Sequence, residues 1–163
     1  MVRKEFEVSR HPKVKELMTH PVYSCSIHDA AVTPASLMWE HDCGVVPVVD
    51  DDGRLAGVVT DRDICMASYL QSRPLTDIPI LSFMAPHVAT CRPDDEVVWA
   101  EHVMSMRQVH RLPVVDNSGR PVGLLSLSDL ARVAPRAPTR RHWGDPGDEL
   151  LETMAAISQP RLH

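Results

Sequence analysis

Short runs of continuous apolar residues, each broken by the same kind of polar turn, dominate the pattern of this chain. Residues 45–49 and 55–59 flank Asp50-Asp51-Asp52-Gly53, and residues 112–115 and 121–125 flank Asp116-Asn117-Ser118-Gly119. Asp, Asn and Gly supply a tight reversal, so each group predicts a β-hairpin. Runs of Val and Leu without strict alternation predict strands covered on both faces. After each hairpin a hydroxyl residue, Thr60 or Ser126, stands where a helix N-cap belongs, ahead of helices over 61–70 and 127–133. Before each hairpin the apolar spacing is helical. Asp29 predicts the cap of a helix to about Glu40, and Asp94 or Asp95 that of a helix to about Arg107. The second of these carries an apolar stripe of Val97, Val98, Ala100, Val103, Met104 and Met106. A helical turn over 14–18 and an extended piece over 22–24 lead into the first.

These elements occur twice at a constant spacing. Residues 14–65 and 80–131 align without a gap at an offset of 66, with 14 identities over 52 positions. The identical pairs are Met18/Met84, Val22/Val88, Cys25/Cys91, Asp29/Asp95, Val32/Val98, Met38/Met104, Pro47/Pro113, Val48/Val114, Val49/Val115, Asp50/Asp116, Gly53/Gly119, Arg54/Arg120, Gly57/Gly123 and Asp63/Asp129. A constant offset means one supersecondary unit built twice. Each unit reads helix–strand–helix–strand–strand–helix, a mixed α/β (α+β) class. A unit this small cannot bury its sheet alone, so the two are expected to pack face to face.

The expected organisation is an arm over 1–13, a first repeat over 14–71, a second over 72–133, and a tail over 134–163. In the tail, a Pro/Arg-rich stretch precedes Asp145-Pro146, which caps a helix over about 147–158. Its face of Leu150, Leu151, Met154 and Ile157 must dock, either on the module's own core or on a partner.

Composition narrows the function by exclusion. The net charge of −5 argues against nucleic acid, which demands a basic surface. No apolar run approaches the roughly 20 residues that cross a bilayer, and the charged N-terminus lacks the apolar core of a secretory signal, so a cytoplasmic protein is expected. Cys25, Cys43, Cys65 and Cys91 form no CxxC pair, and His20, His28, His41 and His102 show no paired spacing, so no metal site is supported. The acidic run 50–52 lacks the other ligands of a calcium loop and reads as turn chemistry. There is no nucleophile elbow, P-loop or dinucleotide fingerprint, which leaves no basis for an enzyme.

The hairpin followed by Gly-x-x-[Thr/Ser]-x-x-Asp, present as PVVDDDGRLAGVVTDRD (47–63) and PVVDNSGRPVGLLSLSD (113–129), resembles the CBS domain family over residues 14 to about 133. That resemblance implies two β-α-β-β-α repeats packed as a pseudo-two-fold pair, the Bateman module of stand-alone prokaryotic type. It implies clefts that hold AMP, ADP, ATP, S-adenosylmethionine or another adenosyl ligand as effector, with no cofactor required. It also implies pairing with a second module into a homodimer, and leaves room for a protein effector.

The resemblance carries roles onto matching residues. Asp63 and Asp129 take the ribose position, with Thr60 and Ser126 at the helix starts. A carboxylate can accept from both ribose hydroxyls, and such charge-assisted bonds are strong. VHRLPVVD (109–116) resembles the phosphate-contacting segment of the regulatory γ subunit of AMP-activated kinases. His110 and Arg111 would therefore serve the Asp63 cleft, with Ser128 nearby, and Arg62 would serve the Asp129 cleft. Gly44 and Val45 at the matching positions of the first repeat carry no charge, so the Asp63 cleft is expected to bind phosphate more tightly. The adenine environment would be Val22, Tyr23 and Val46 in one half, and Val88, Ala89 and Leu112 in the other. Plainer readings stand beside these: the hydroxyls as caps only, Arg111 and Arg62 as solvated residues, the apolar set as core. An accessory subunit, or a structural or redox stress protein using this fold, is the alternative to a sensor.

Overall fold

Both hairpins form where the apolar runs predict them, and their turns explain several of the repeated identities. In the computed structural model, which describes residues 12–133 and 153–154, β1 (Cys25–Ser26) runs parallel to β2 (Val45–Val49), which pairs antiparallel with β3 (Leu55–Thr60). β4 (Ala85–Pro86) completes this sheet on the far side of β3. The second hairpin is β5 (Arg111–Val115) with β6 (Pro121–Ser126). A bridge from Cys91 to Val114 repeats the β1–β2 pairing of Cys25 with Val48 at the same offset. In the turns, Asp50 Oδ1 accepts from the Asp52 and Arg54 amides at 3.0 and 2.8 Å. Asp116 Oδ1 does the same for Ser118 and Arg120 at 2.8 and 3.0 Å. Gly53 and Gly119 close them at φ of 75° and 84°, a conformation that costs a side-chain-bearing residue energy.

The helices are α1 (Val14–Leu17), α2 (Val32–Glu40), α3 (Asp61–Gln71), α4 (Val97–Arg107) and α5 (Leu127–Val133), with 3-10 turns at Leu75–Asp77 and Ile80–Ser82. α3 starts at its predicted cap, Thr60. α2 and α4 start later than Asp29 and Asp95 predict, after Ala31 and Glu96, neither of which makes a side-chain cap. The two aspartates reach backwards instead. Asp29 Oδ2 accepts from the Ser26 amide and Asp95 Oδ2 from the Arg92 amide, each at 2.7 Å. They close the turn that leads from strand to helix, a local alternative open to short carboxylates.

Continuous burial holds for the first strand of each hairpin, Val45–Val48 and Leu112–Val114, while β3 and β6 alternate. Each hairpin roofs its own core. One core contains Cys25, Val46, Val48, Val59 and Ile64, the other Cys91, Val97, Ala100, Met104, Leu112, Val114, Leu125 and Leu130. The leading segments are exchanged between them. Val14, from the start of the first repeat, is fully buried in the second core, and Ile80, from the start of the second, is fully buried in the first. The strands follow suit: Thr19 and Leu124 exchange both backbone bonds, at 2.8 and 3.0 Å, while Ala85 and Pro86 pair with Val58 and Gly57. The hairpin turns also meet, Leu55 donating to the Gly119 carbonyl at 2.9 Å.

The arm over 1–11 and most of the tail lie outside the described residues. Of the helix expected over 147–158, Thr153 and Met154 are helical, with Thr153 buried. No described helix is long and apolar enough to cross a membrane.

The exchange explains why Gly57 and Gly123 are glycines. A Cβ on Gly57 would stand 2.6 Å from the Ala85 carbonyl oxygen, and one on Gly123 2.6 Å from Met18 Sδ. Backbone cannot yield as a side chain can, so Gly57→Ala is expected to lower the unfolding free energy by about 1–3 kcal/mol. Gly44→Ala, whose nearest approach is an ordinary 3.4 Å to the Asp61 side chain, should stay within about 0.5 kcal/mol. Urea unfolding of the two variants beside the parent checks this.

Candidate functional site

The repeated motif builds the same hydrogen-bonded box at two helix starts. The Thr60 hydroxyl donates to Asp63 Oδ2 at 2.7 Å, the Thr60 amide donates to the same oxygen at 2.9 Å, and the hydroxyl accepts from the Asp63 amide at 3.2 Å. Ser126 and Asp129 repeat this at 2.6, 2.9 and 3.3 Å. Capping and carboxylate positioning are therefore one arrangement, because the group that satisfies the helix amide also aims the carboxylate. The boxes differ in what else touches them. Asp129 is 5% exposed, and its Oδ1 accepts from the Thr19 hydroxyl at 3.5 Å. At the position equivalent to Thr19 the other half has Ala85, which offers no donor, and Asp63 is half-buried.

A cavity of about 430 Å³ opens between the halves on the Thr60 side. From the first repeat, Val45, Val58 and Thr60 line it. From the second, His87, Val88, Ala89 and the segment from Arg107 to Arg111 do so, with Pro113 and Leu124. Thr60, Val88, Ala89, His110 and Arg111, expected at a ligand site from the motif, thus meet at one cavity. Asp63, hydrogen-bonded to Thr60, is not among the lining residues. Val46 and Leu112 are fully buried core side chains. Strand alternation is the reason, since it turns Val45, Arg111 and Pro113 to the cleft and their neighbours inward. Arg111 reaches across to the other repeat: its Nη2 and Asp61 Oδ2 lie 3.5 and 3.4 Å from where a Cβ on Gly44 would be.

Two lining basic residues, Arg107 and His87, were not singled out from the sequence. Arg107 ends α4 and reads as an ordinary helix-end cation, and His87 precedes the expected Val88. His87 is held at φ 57° and Gln108 at φ 51°, left-handed values that are uncommon outside glycine. Such backbone is invisible in the sequence of a non-glycine residue.

The matching places of the other half are filled differently. Tyr23 and His41, which correspond to Ala89 and Arg107, lie ring on ring, centroids 3.5 Å apart and planes 2° from parallel. Ser126 and Val22 are half-buried, while Ser128 and Arg62 are exposed, the Arg62 amide donating to Asp61 Oδ1 at 2.7 Å. None of these lines the cavity.

The sequence profile of the CBS domain matches residues 14–69 and 77–136. The chain belongs to the CBS domain family. Among CBS proteins, YhcV of Bacillus subtilis (strain 168) is 36% identical over 118 residues, covering 72% of this chain and 82% of that protein. The CBS domain pair of protein MJ0100, solved in complex with 5′-methylthioadenosine and S-adenosyl-L-methionine, matches at a TM-score of 0.68 and 26% identity, over 76% of this chain and 96% of that one. Hypoxic Response Protein I, solved with two coordinated zinc ions, matches at a TM-score of 0.68 and 27% identity, over 76% and 100%. Among the described residues of this CBS pair, no group of three or more His, Cys, Asp or Glu side chains could hold a metal.

The repeated cysteines of the CBS pair are structural. Burial, with Asp29 adding to it, pushes the Cys25 thiol from 9.0 up to about 12, and burial with Asp95 does the same for Cys91. Above pH 9 the unfolded chain releases these protons and the native chain keeps them. Stability therefore falls as pH rises from 9 towards 12, by up to about 1.4 kcal/mol per pH unit for each thiol. Urea unfolding across that range should show a shallower loss in the Cys25→Ala/Cys91→Ala double variant. With iodoacetamide, mass spectrometry should find the exposed Cys65 labelled in the native protein, and Cys25 and Cys91 only after denaturation.

Proposed function

We propose that this chain is a regulatory binding module that takes an adenosine nucleotide or related adenosyl ligand between its two CBS repeats and performs no reaction on it. The observation that carries the reading is convergence: Thr60 of one repeat and Val88, Ala89, His110 and Arg111 of the other line a single cavity. The adenosyl ligands held by the MJ0100 pair support the class. In this reading Thr60 and its amide hold Asp63 Oδ2, leaving Oδ1, which has no protein partner among the described residues, for the ribose hydroxyls. Val45, Val58, Val88 and Ala89 give the base an apolar wall, and His110 and Arg111 meet phosphate. The Asp129 cleft, with Ser126, Ser128 and Arg62, is the weaker one. Its carboxylate is buried against Thr19, and the Tyr23–His41 stack stands where the other cleft has Ala89 and Arg107.

Occupancy regulates only if the ligand prefers one arrangement of the halves, and a ligand touching both repeats senses how they are arranged. The exposed Trp39, Tyr69 and Leu70, at 90%, 76% and 72%, with Met66 beside them on α2 and α3, support a homodimer of such modules docked through these helices or onto an effector protein. The buried, high-pKa Cys25 and Cys91 do not favour a redox role.

Thermal unfolding with AMP, ADP, ATP, S-adenosylmethionine and 5′-methylthioadenosine tests the reading. At least one ligand should raise the melting temperature, stabilising by about 2.7 kcal/mol at a hundredfold excess over Kd. Asp63→Ala and Arg111→Ala should reduce that shift, and Asp129→Ala should leave it. No shift with any compound at millimolar concentration would defeat the proposal.

A further inference from the structure

The charge on the open cleft distinguishes among adenosyl ligands. Among the described residues its lining includes His87, Arg107, His110 and Arg111 and not one acidic side chain. None of the four is held in an ion pair among the described residues, whose salt bridges join Lys13 to Glu96, Lys15 to Asp94, His28 to Asp51 and Arg54 to Asp52. The carboxylate that comes near them is Asp61, which shares the space at Gly44 with Arg111. All four residues are exposed, so the fold does not need them for packing.

The repeat itself supplies a control. At the four equivalent positions the first copy has Pro21, His41, Gly44 and Val45, on the same backbone and with the same motif. The frame therefore forms without either arginine, and Arg107 and Arg111 are an addition to one cleft. Arg107 at the end of α4 also complements the helix dipole, which would account for one of these residues but not for four basic residues converging on one cavity. A concave site of one sign with an apolar wall concentrates its field, and guanidinium groups match phosphate oxygens in bidentate fashion. A sulfonium ligand would enter that field with a positive charge, and a neutral thioether nucleoside would leave the cations without a partner.

Building on the adenosyl-binding reading, we propose that this cleft selects nucleotides with two or more consecutive phosphates, the adenosine di- and triphosphate class, over the monophosphate and against sulfonium or uncharged adenosyl ligands. Arg107 and His87 extend the phosphate site beyond His110 and Arg111. Arg107 is the residue that reads phosphate number, because it lies on a separate element from the strand carrying Arg111.

Isothermal titration of the full chain with ATP, ADP, AMP, adenosine, S-adenosylmethionine, 5′-methylthioadenosine and pyrophosphate tests this. ADP and ATP should bind at least about tenfold tighter than AMP, the worth of one charge-assisted hydrogen bond, with adenosine and S-adenosylmethionine weaker still. Arg107→Gln should bring ADP close to AMP while leaving adenosine binding unchanged, a split that a structural role would not produce. S-adenosylmethionine or 5′-methylthioadenosine binding as tightly as ADP would overturn the selection and leave the adenosyl reading intact. So would an equal loss for all ligands in Arg107→Gln. Pyrophosphate binding without any adenosyl compound would defeat the adenosyl reading and keep the polyphosphate site. Binding of none would defeat both.

Discussion

The exchange of leading segments is the constraint on which the rest of the molecule depends. Val14 belongs in sequence to the first repeat and in space to the second core, and Ile80 makes the reciprocal crossing. Each burial contributes roughly 1.5–3 kcal/mol that its own repeat could not collect alone. The crossing segments then run so close to β3 and β6 that a Cβ at 57 would meet the Ala85 backbone and one at 123 the Met18 side chain. One interaction thus explains a repeated glycine, the fixed relation of the halves and the position of the cavity between them. His87, Val88 and Ala89 follow directly on the crossing strand β4, which carries the second repeat's residues to the wall of the cleft.

On this symmetric frame the chemistry is asymmetric. The box of hydroxyl and carboxylate is nearly identical at Thr60/Asp63 and Ser126/Asp129, because it satisfies helix amides that every copy has. Differences collect where the frame makes no demand. Thr19 engages Asp129, and Ala85 leaves Asp63 alone. Tyr23 and His41 stack, whereas Ala89 and Arg107 line a cavity. The two copies thus differ chiefly in side chains outside the hydrogen-bonded box.

The sequence by itself determined the repeat, its offset, both hairpins and the Thr60 and Ser126 caps. These depend on apolar periodicity and on hydrogen bonds spanning three or four residues, so the information is local. It also identified five of the residues that meet at the cavity, because a motif fixes which strand or helix end carries them. Where local signals competed, it misplaced the starts of α2 and α4: Asp29 and Asp95 could bond forwards as caps or backwards as turns, and only the fold selects the turn. Tertiary structure alone decided which core receives Val14 and Ile80, that Val46 and Leu112 face inward, and that His87 and Arg107 join the cleft. Those outcomes rest on contacts between distant segments and on left-handed backbone at His87, and neither leaves a periodic or compositional trace in the chain.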